Sequence, residues 1–227
     1  MGPGNVHLQN VLVHKPWGYE YLVYQNNKVA IWYLRINSGE ATSLHCHPRK
    51  KTGLILLSGE ATVSFLNDST NLKTPAKLVI RPGLFHSTKA LSPEGIGLLE
   101  LETPVDKDDL VRFEDSYGRE GKAYEGSDKM SPIPEHFVRF SDPEEGISRE
   151  YQMDDTAISL EKITDLSRLP KRPAETIIAI LDGGLVSKTG EPITTAGDVG
   201  TFASLVRLAQ AFAAPEGILL LTVEKKK

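Results

Sequence analysis

Short apolar runs separated by turn signals set the pattern of the chain. Residues 29–36, 53–57, 61–65, 78–80 and 96–101 are strand-length stretches rich in Ile, Val, Leu and aromatic residues. Between them stand Ser38-Gly39, Ser58-Gly59, Asn67-Asp68 and Pro82-Gly83. No helical period interrupts the series, so the first half predicts an all-β fold of at least five strands.

The second half offers a similar series at 176–181, 184–187, 200–205 and 217–223. The two halves align. Residues 52–59 match 176–183, and residues 93–102 match 215–224 with seven of ten positions shared. Matching strands and turns in the same order predict an internal duplication. Between the halves, residues 105–134 are rich in Asp, Glu, Lys, Gly and Pro, as in a linker that covers or joins domains. The expected division is a first domain over residues 1–130, linker included, and a second over 131–227.

The most chemical feature lies in the first half. His45 and His47 stand two apart in a strand, so both imidazoles point to one face, and Cys46 points to the other. His86 follows the Pro82-Gly83 turn, where a neighbouring antiparallel strand brings it beside the pair. Three neutral imidazoles suit one divalent transition metal, Zn, Fe, Ni or Mn, with a coordination position left open. The duplicated half has Leu169 and Lys171 where His45 and His47 would fall, and Phe202-Ala203-Ser204 in place of Phe85-His86-Ser87. It is expected to hold no metal. His136 is isolated, and Cys46 reads as a small buried hydrophobe.

The spacing of Gly39, His45 and His47, then Gly59, then Pro82 and His86, resembles the two motifs of the cupin superfamily. Lys15-Pro16-Trp17-Gly18, residues 56–60 and residues 108–119 are similar to landmarks of the cupin domain of type II mannose-6-phosphate isomerases, often fused to GDP-mannose pyrophosphorylases. The resemblance covers residues 14–125 and implies a cupin (double-stranded β-helix, or jelly-roll) barrel; with the internal duplication, the expectation is two tandem cupin barrels, the second degenerate. It implies a sugar-type ligand and metal-dependent isomerase or epimerase chemistry on a sugar phosphate or nucleotide-linked sugar. In that family a Glu ligand follows the His pair. Here the position is Thr52, followed by Gly53 where a large residue is usual. Two other readings stay open: a non-catalytic sugar-binding or regulatory bicupin, and a three-histidine dioxygenase.

Candidate acid–base or outer groups are Glu60, Glu100 and Arg112, the first two if their side chains turn inward. Arg49 and Lys50 at the barrel mouth, with Arg112 and Arg119 by resemblance, are candidate substrate contacts. With 40% apolar and 25% charged residues the 227-residue chain is expected to bury a core. Its net charge of −4 and scattered Lys and Arg exclude a nucleic-acid binder, short basic runs at 49–51 and 225–227 notwithstanding. One cysteine and no membrane-length apolar stretch fit a cytoplasmic protein without a membrane partner. Pairing of two copies through edge strands is a further expectation.

Overall fold

The computed structural model describes residues 8–122 and 124–226; the last of the terminal lysines, Lys227, lies outside them. The first half contains β1 (Val11–Lys15), β2 (Gly18–Gln25), β3 (Ala30–Ile36), β4 (Leu44–Cys46), β5 (Lys51–Ser58), β6 (Glu60–Phe65), β7 (Ser69–Lys73), β8 (Ala76–Ile80), β9 (His86–Ala90), β10 (Ile96–Thr103), β11 (Val111–Glu114) and β12 (Met130–Pro132). They form a seven-stranded sheet in the order β12-β1-β2-β3-β10-β5-β8 and a five-stranded sheet in the order β11-β4-β9-β6-β7. The two sheets face each other as a barrel.

Strand alternation explains the long apolar runs. On β3, β5 and β10, the even-numbered residues Trp32, Leu34, Leu54, Leu56 and Leu98 belong to the barrel core. The odd-numbered Ile31, Tyr33, Ile55, Leu57, Leu99 and Leu101 belong to a second core on the far side of the sheet. A sheet covered on both faces needs apolar residues at nearly every position.

The second half supplies that cover. Here β13 (Arg149–Met153), β14 (Thr156–Ile163), β15 (Ile177–Gly183), β16 (Val199–Thr201) and β17 (Ile218–Lys225) form one sheet in the order β13-β14-β17-β15-β16. Ile158, Leu160, Ile177, Ala179, Leu221 and Val223 pack against the seven-stranded sheet. Its other face, with Ile178, Ile180 and Leu220, packs under α1 (Phe202–Ala209).

The duplication is visible in the hydrogen-bond register. Leu98 pairs with Leu56 and Glu100 with Leu54 on β10 and β5; Leu220 pairs with Ile180 and Thr222 with Ile178 at the aligned positions of β17 and β15. Both ladders carry a register shift at the same place, before Leu98 and after Ile180. The strand order of the second sheet repeats β2-β3-β10-β5-β8.

The second half keeps only this sheet among its described residues, so its degeneracy extends beyond the lost histidines. Residues 200–205, expected as a strand, are instead the end of β16 and the start of α1, capped by Thr201, whose side chain accepts a hydrogen bond from the Ser204 amide. Phe202 and Leu205, three apart, are buried on one face of the helix. Residues 184–187 are likewise no strand; Val186 makes isolated bridges to Pro192 and Ala213. β12 pairs with β1, so the first sheet takes in residues just past 130. Among the described residues no helix is long and apolar enough to cross a membrane.

The docked second sheet also accounts for Gly53. A Cβ at this position would lie 2.6 Å from the Val199 side chain of β16, so the large residue usual there is excluded by the neighbouring domain. Gly53→Leu should therefore destabilise the protein by roughly 1–3 kcal/mol through overpacking, read as a lowered urea midpoint in equilibrium unfolding; an unchanged midpoint would mean that the two sheets are not packed at this point.

Candidate metal centre

The five-stranded sheet brings the three histidines together. His45 on β4 lies directly opposite His86 on β9 in the ladder, with ring centroids 4.4 Å apart, and His47 follows β4 with its ring 5.0 Å from His45 and 5.6 Å from His86. From the opposite sheet, β10 adds Glu100. One donor atom from each of His45, His47, His86 and Glu100 lies within 4.8 Å of the others.

The hydrogen bonds define which nitrogens face the cluster. Nδ1 of His45 lies 2.8 Å from the Ser43 carbonyl, that of His47 2.7 Å from the Asp109 carbonyl, and that of His86 3.0 Å from the Leu84 carbonyl. A carbonyl only accepts, so each Nδ1 carries the proton and each Nε2 keeps its lone pair. Nε2 of His47 and of His86 is buried without a partner. A backbone carbonyl behind the imidazole is the arrangement that orients metal-binding histidines.

Burial pushes all three imidazoles toward the neutral form. His45 is held well below its usual range by burial and by His86 and His47; His47 falls to about 4 through burial and Lys50; burial lowers His86 as well. Orphaned Nε2 lone pairs on neutral rings fit a divalent transition metal, and the Glu100 carboxyl offers charge compensation.

The surrounding charges form a buried network. Glu102, two residues after Glu100 on the same inward face, is completely buried and accepts a hydrogen bond from Lys50 Nζ at 2.8 Å. Lys107 Nζ lies 3.3 Å from Glu20 and 3.6 Å from Glu102, and sits 3.9 Å over the Trp32 ring. Although burial opposes ionisation, Lys107 and Lys15 hold Glu20 down to about 2, and Lys107 and Lys50 do the same for Glu102. Glu100 goes the other way: burial and the neighbouring Glu102 raise it to about 7. Three inward carboxyls thus divide into two fixed anions and one group poised near neutrality.

A carboxyl therefore enters the cluster from β10 and not from the His-pair side. Thr52 on β5 stands opposite Glu102, and Glu100 opposite Leu54. Glu60 does not approach the centre: it is exposed on β6 and paired with Lys73 at 2.7 Å. Arg49 also lies outside, its exposed guanidinium bonded to Asp106. Lys50, Arg112 and Arg119 do line the cavity, and His136, which does not, meets the Phe137 ring edge to face.

Sequence reasoning assigned no role to Glu20, Glu102, Lys107, Tyr124 or Glu125, and quoted Lys15 only as part of a landmark. Their usable signal is parity for Glu100 and Glu102, two acids at alternate positions of an otherwise apolar strand. Glu20 and Lys15 come from β2 and β1, and Lys107, Tyr124 and Glu125 from the segment after β10, which is a strap over the barrel mouth: its β11 pairs with β4, placing Arg112 opposite His45, and it adds Lys107, Leu110, Arg119 and Tyr124 to the cavity wall.

Residues 4–115 match the family model described as mannose-6-phosphate isomerase C-terminal. The match covers just under half of the chain, and the two facing sheets of the first half form a cupin-type barrel. The cupin region also resembles two curated proteins: "Xanthan biosynthesis protein XanB" of Xanthomonas campestris pv. campestris (strain B100), 28% identical over 47% of this chain and 23% of that protein, and "Mannose-1-phosphate guanylyltransferase ManC" of Salmonella typhimurium, 25% identical over the same shares. The chain thus spans about a quarter of the length of these relatives. Among solved structures, KdgF from Halomonas sp. is 18% identical over 41% of this chain and 86% of that one, with a TM-score of 0.39. CapF from Staphylococcus aureus is 15% identical over 46% and 34%, with a TM-score of 0.42.

Among the described residues the cupin carries the one cluster of this kind. Purified, metal-replete protein should contain one equivalent of transition metal by elemental analysis, and His47→Ala or His86→Ala should lower occupancy at least tenfold without unfolding the barrel, whose core is apolar. Two equivalents, or unchanged occupancy in both variants, would contradict the assignment.

Proposed function

We propose that the cupin domain binds one divalent transition metal through His45, His47 and His86 and isomerises a sugar phosphate or nucleotide-linked sugar. The observation that carries this reading is the meeting of three carbonyl-oriented imidazoles with an inward Glu100 inside a cavity walled by paired Lys, Arg and Glu side chains. The similarity of residues 4–115 to mannose-6-phosphate isomerase and the names of the curated relatives support the choice of substrate class.

When bound, the metal supplies a Lewis acid that polarises a carbonyl or holds adjacent hydroxyls. The residues of this chain do the rest. Glu100 stands beside the imidazole donors and takes a proton from one carbon of the sugar and returns it to its neighbour, an exchange that consumes no co-reactant. Lys50 and Lys107 keep Glu102 ionised, so that Glu100 remains the one carboxyl of the pair able to carry the proton. Arg112 and Arg119 bind the substrate at the mouth. The second domain takes no part in the chemistry; it holds the back of the sheet from which Glu100 projects.

The experiment is a screen of aldose and ketose phosphates and of nucleotide sugars with the metal-loaded protein, run beside Glu100→Gln. Turnover should appear in the wild type and fall at least about a hundredfold in the variant, within the range for loss of a proton-transfer group, while metal content stays within a few-fold. Binding without turnover would select the sugar-binding reading, and Fe(II)-dependent oxygen uptake the dioxygenase reading; either would overturn this one.

A further inference from the structure

The cupin cavity is nearly full as it stands. The space left in it is about 50 Å3, room for a few ordered waters and far below the roughly 300 Å3 or more of ordinary small-molecule sites. A ligand the size of a sugar phosphate enters only if part of the wall gives way.

Three cations of that wall are held by a carboxylate that does not itself line the space. Three cations from three places in the chain converge on a single carboxylate, Glu125. Arg119 Nη1 donates to its Oε1 at 2.6 Å, Arg112 Nη2 lies 3.3 Å from the same oxygen, and Lys15 Nζ bonds Oε2. All three cations line the cavity that holds the histidines. Both guanidiniums also have anchors independent of Glu125: Arg119 bonds Asp115 through Nε at 3.0 Å and Nη2 at 2.7 Å, and Arg112 Nη1 bonds the Lys122 carbonyl at 2.8 Å. Each guanidinium therefore keeps a hydrogen-bond partner if Glu125 leaves.

We propose that Lys15, Arg112 and Arg119 form a subsite for the phosphate of a phosphorylated ligand, and that the Glu125 carboxylate occupies it until the ligand arrives. The inference rests on the sugar-phosphate reading of the barrel and adds to it the third cation and the internal occupant. A phosphate monoester near neutral pH carries close to two negative charges and three terminal oxygens, against one charge and two oxygens on Glu125, and planar guanidinium forks match it in bidentate fashion. The exchange is therefore favoured in charge and in hydrogen-bond count. Tyr124 travels with its neighbour. Its ring lies 4.0 Å from Lys15 Nζ, its hydroxyl donates to Glu20, and it lines the cavity, so the outward turn of Glu125 that frees the cations also vacates volume for the sugar.

Inorganic phosphate is the probe, titrated calorimetrically into the full chain with and without metal. Glu125→Gln removes the competing charge and should tighten phosphate binding at least tenfold; adding Arg119→Gln to that variant should reverse the gain. In the wild type, saturating phosphate should accelerate trypsin cleavage after Lys122, the exposed residue three before Glu125. Unchanged or weaker phosphate binding by a natively folded Glu125→Gln protein would overturn the proposal, and so would a cleavage rate indifferent to phosphate, an arm that stands if the variant fails to fold. Phosphate binding needs neither metal nor turnover. Tightening without any sugar-phosphate turnover would leave the subsite standing and remove the isomerase, whereas turnover with phosphate binding indifferent to Glu125 would do the reverse.

Discussion

The seven-stranded sheet is buried on both faces, and most of what the molecule does follows from that constraint. Each of its central strands sends alternate side chains in opposite directions, so β10 carries Leu98, Glu100 and Glu102 into the barrel while Leu99 and Leu101 enter the core shared with the second domain. A slip of one residue would exchange the two sets and place carboxylates in an apolar core. The register of β10 is pinned on both sides, by β3 and by β5, and the position of the acidic group opposite the three histidines is pinned with it.

Within the barrel, charge is managed by pairing and not by exposure. Lys50 and Glu102 have no exposed side-chain surface at all, and Lys15, Glu20 and Lys107 keep less than a tenth of theirs. Such a network adds little net stability over an apolar filling, but loss of one member leaves an uncompensated charge at a cost of about 3–5 kcal/mol. What it provides here is a fixed field. Two carboxylates are kept ionised by lysines, and the one without such a partner in the lysine pairs is the one nearest the imidazoles.

Much of this was legible in the sequence. The strand-length apolar runs gave the all-β class, the Pro93–Glu102 and Pro215–Glu224 match gave the duplication, and the two-residue spacing of His45 and His47 gave the cluster its core. What could not be read has specific physical reasons. Residues 202–209 follow a strand and share its apolar character, and only the Thr201 cap and the three-residue spacing of Phe202 and Leu205 distinguish a helix there. The strap after β10 is polar enough to pass for a linker because Lys107, Arg112, Arg119 and Glu125 turn inward into ion pairs, a compensation visible only in three dimensions. Glu100 was weighed as one of several carboxyls because which face of β10 looks into the barrel depends on the sheet behind it. Gly53 looked like a departure from a family pattern and is an accommodation of Val199.

The clamped sheet has a mechanical corollary. A wall held between two close-packed cores has almost no compliance, since interiors of this density resist displacement on either side. The barrel thus resembles a box with one rigid panel and one fastened flap: the acidic side chains are mounted on the panel, and any widening of the chamber is confined to the flap side. Adding a second sheet outside a barrel that has its own core therefore does something a thicker core alone would not. It fixes the reference frame against which the mouth opens, so that entry of a ligand and alignment of the acid–base group become separable events in different parts of the chain.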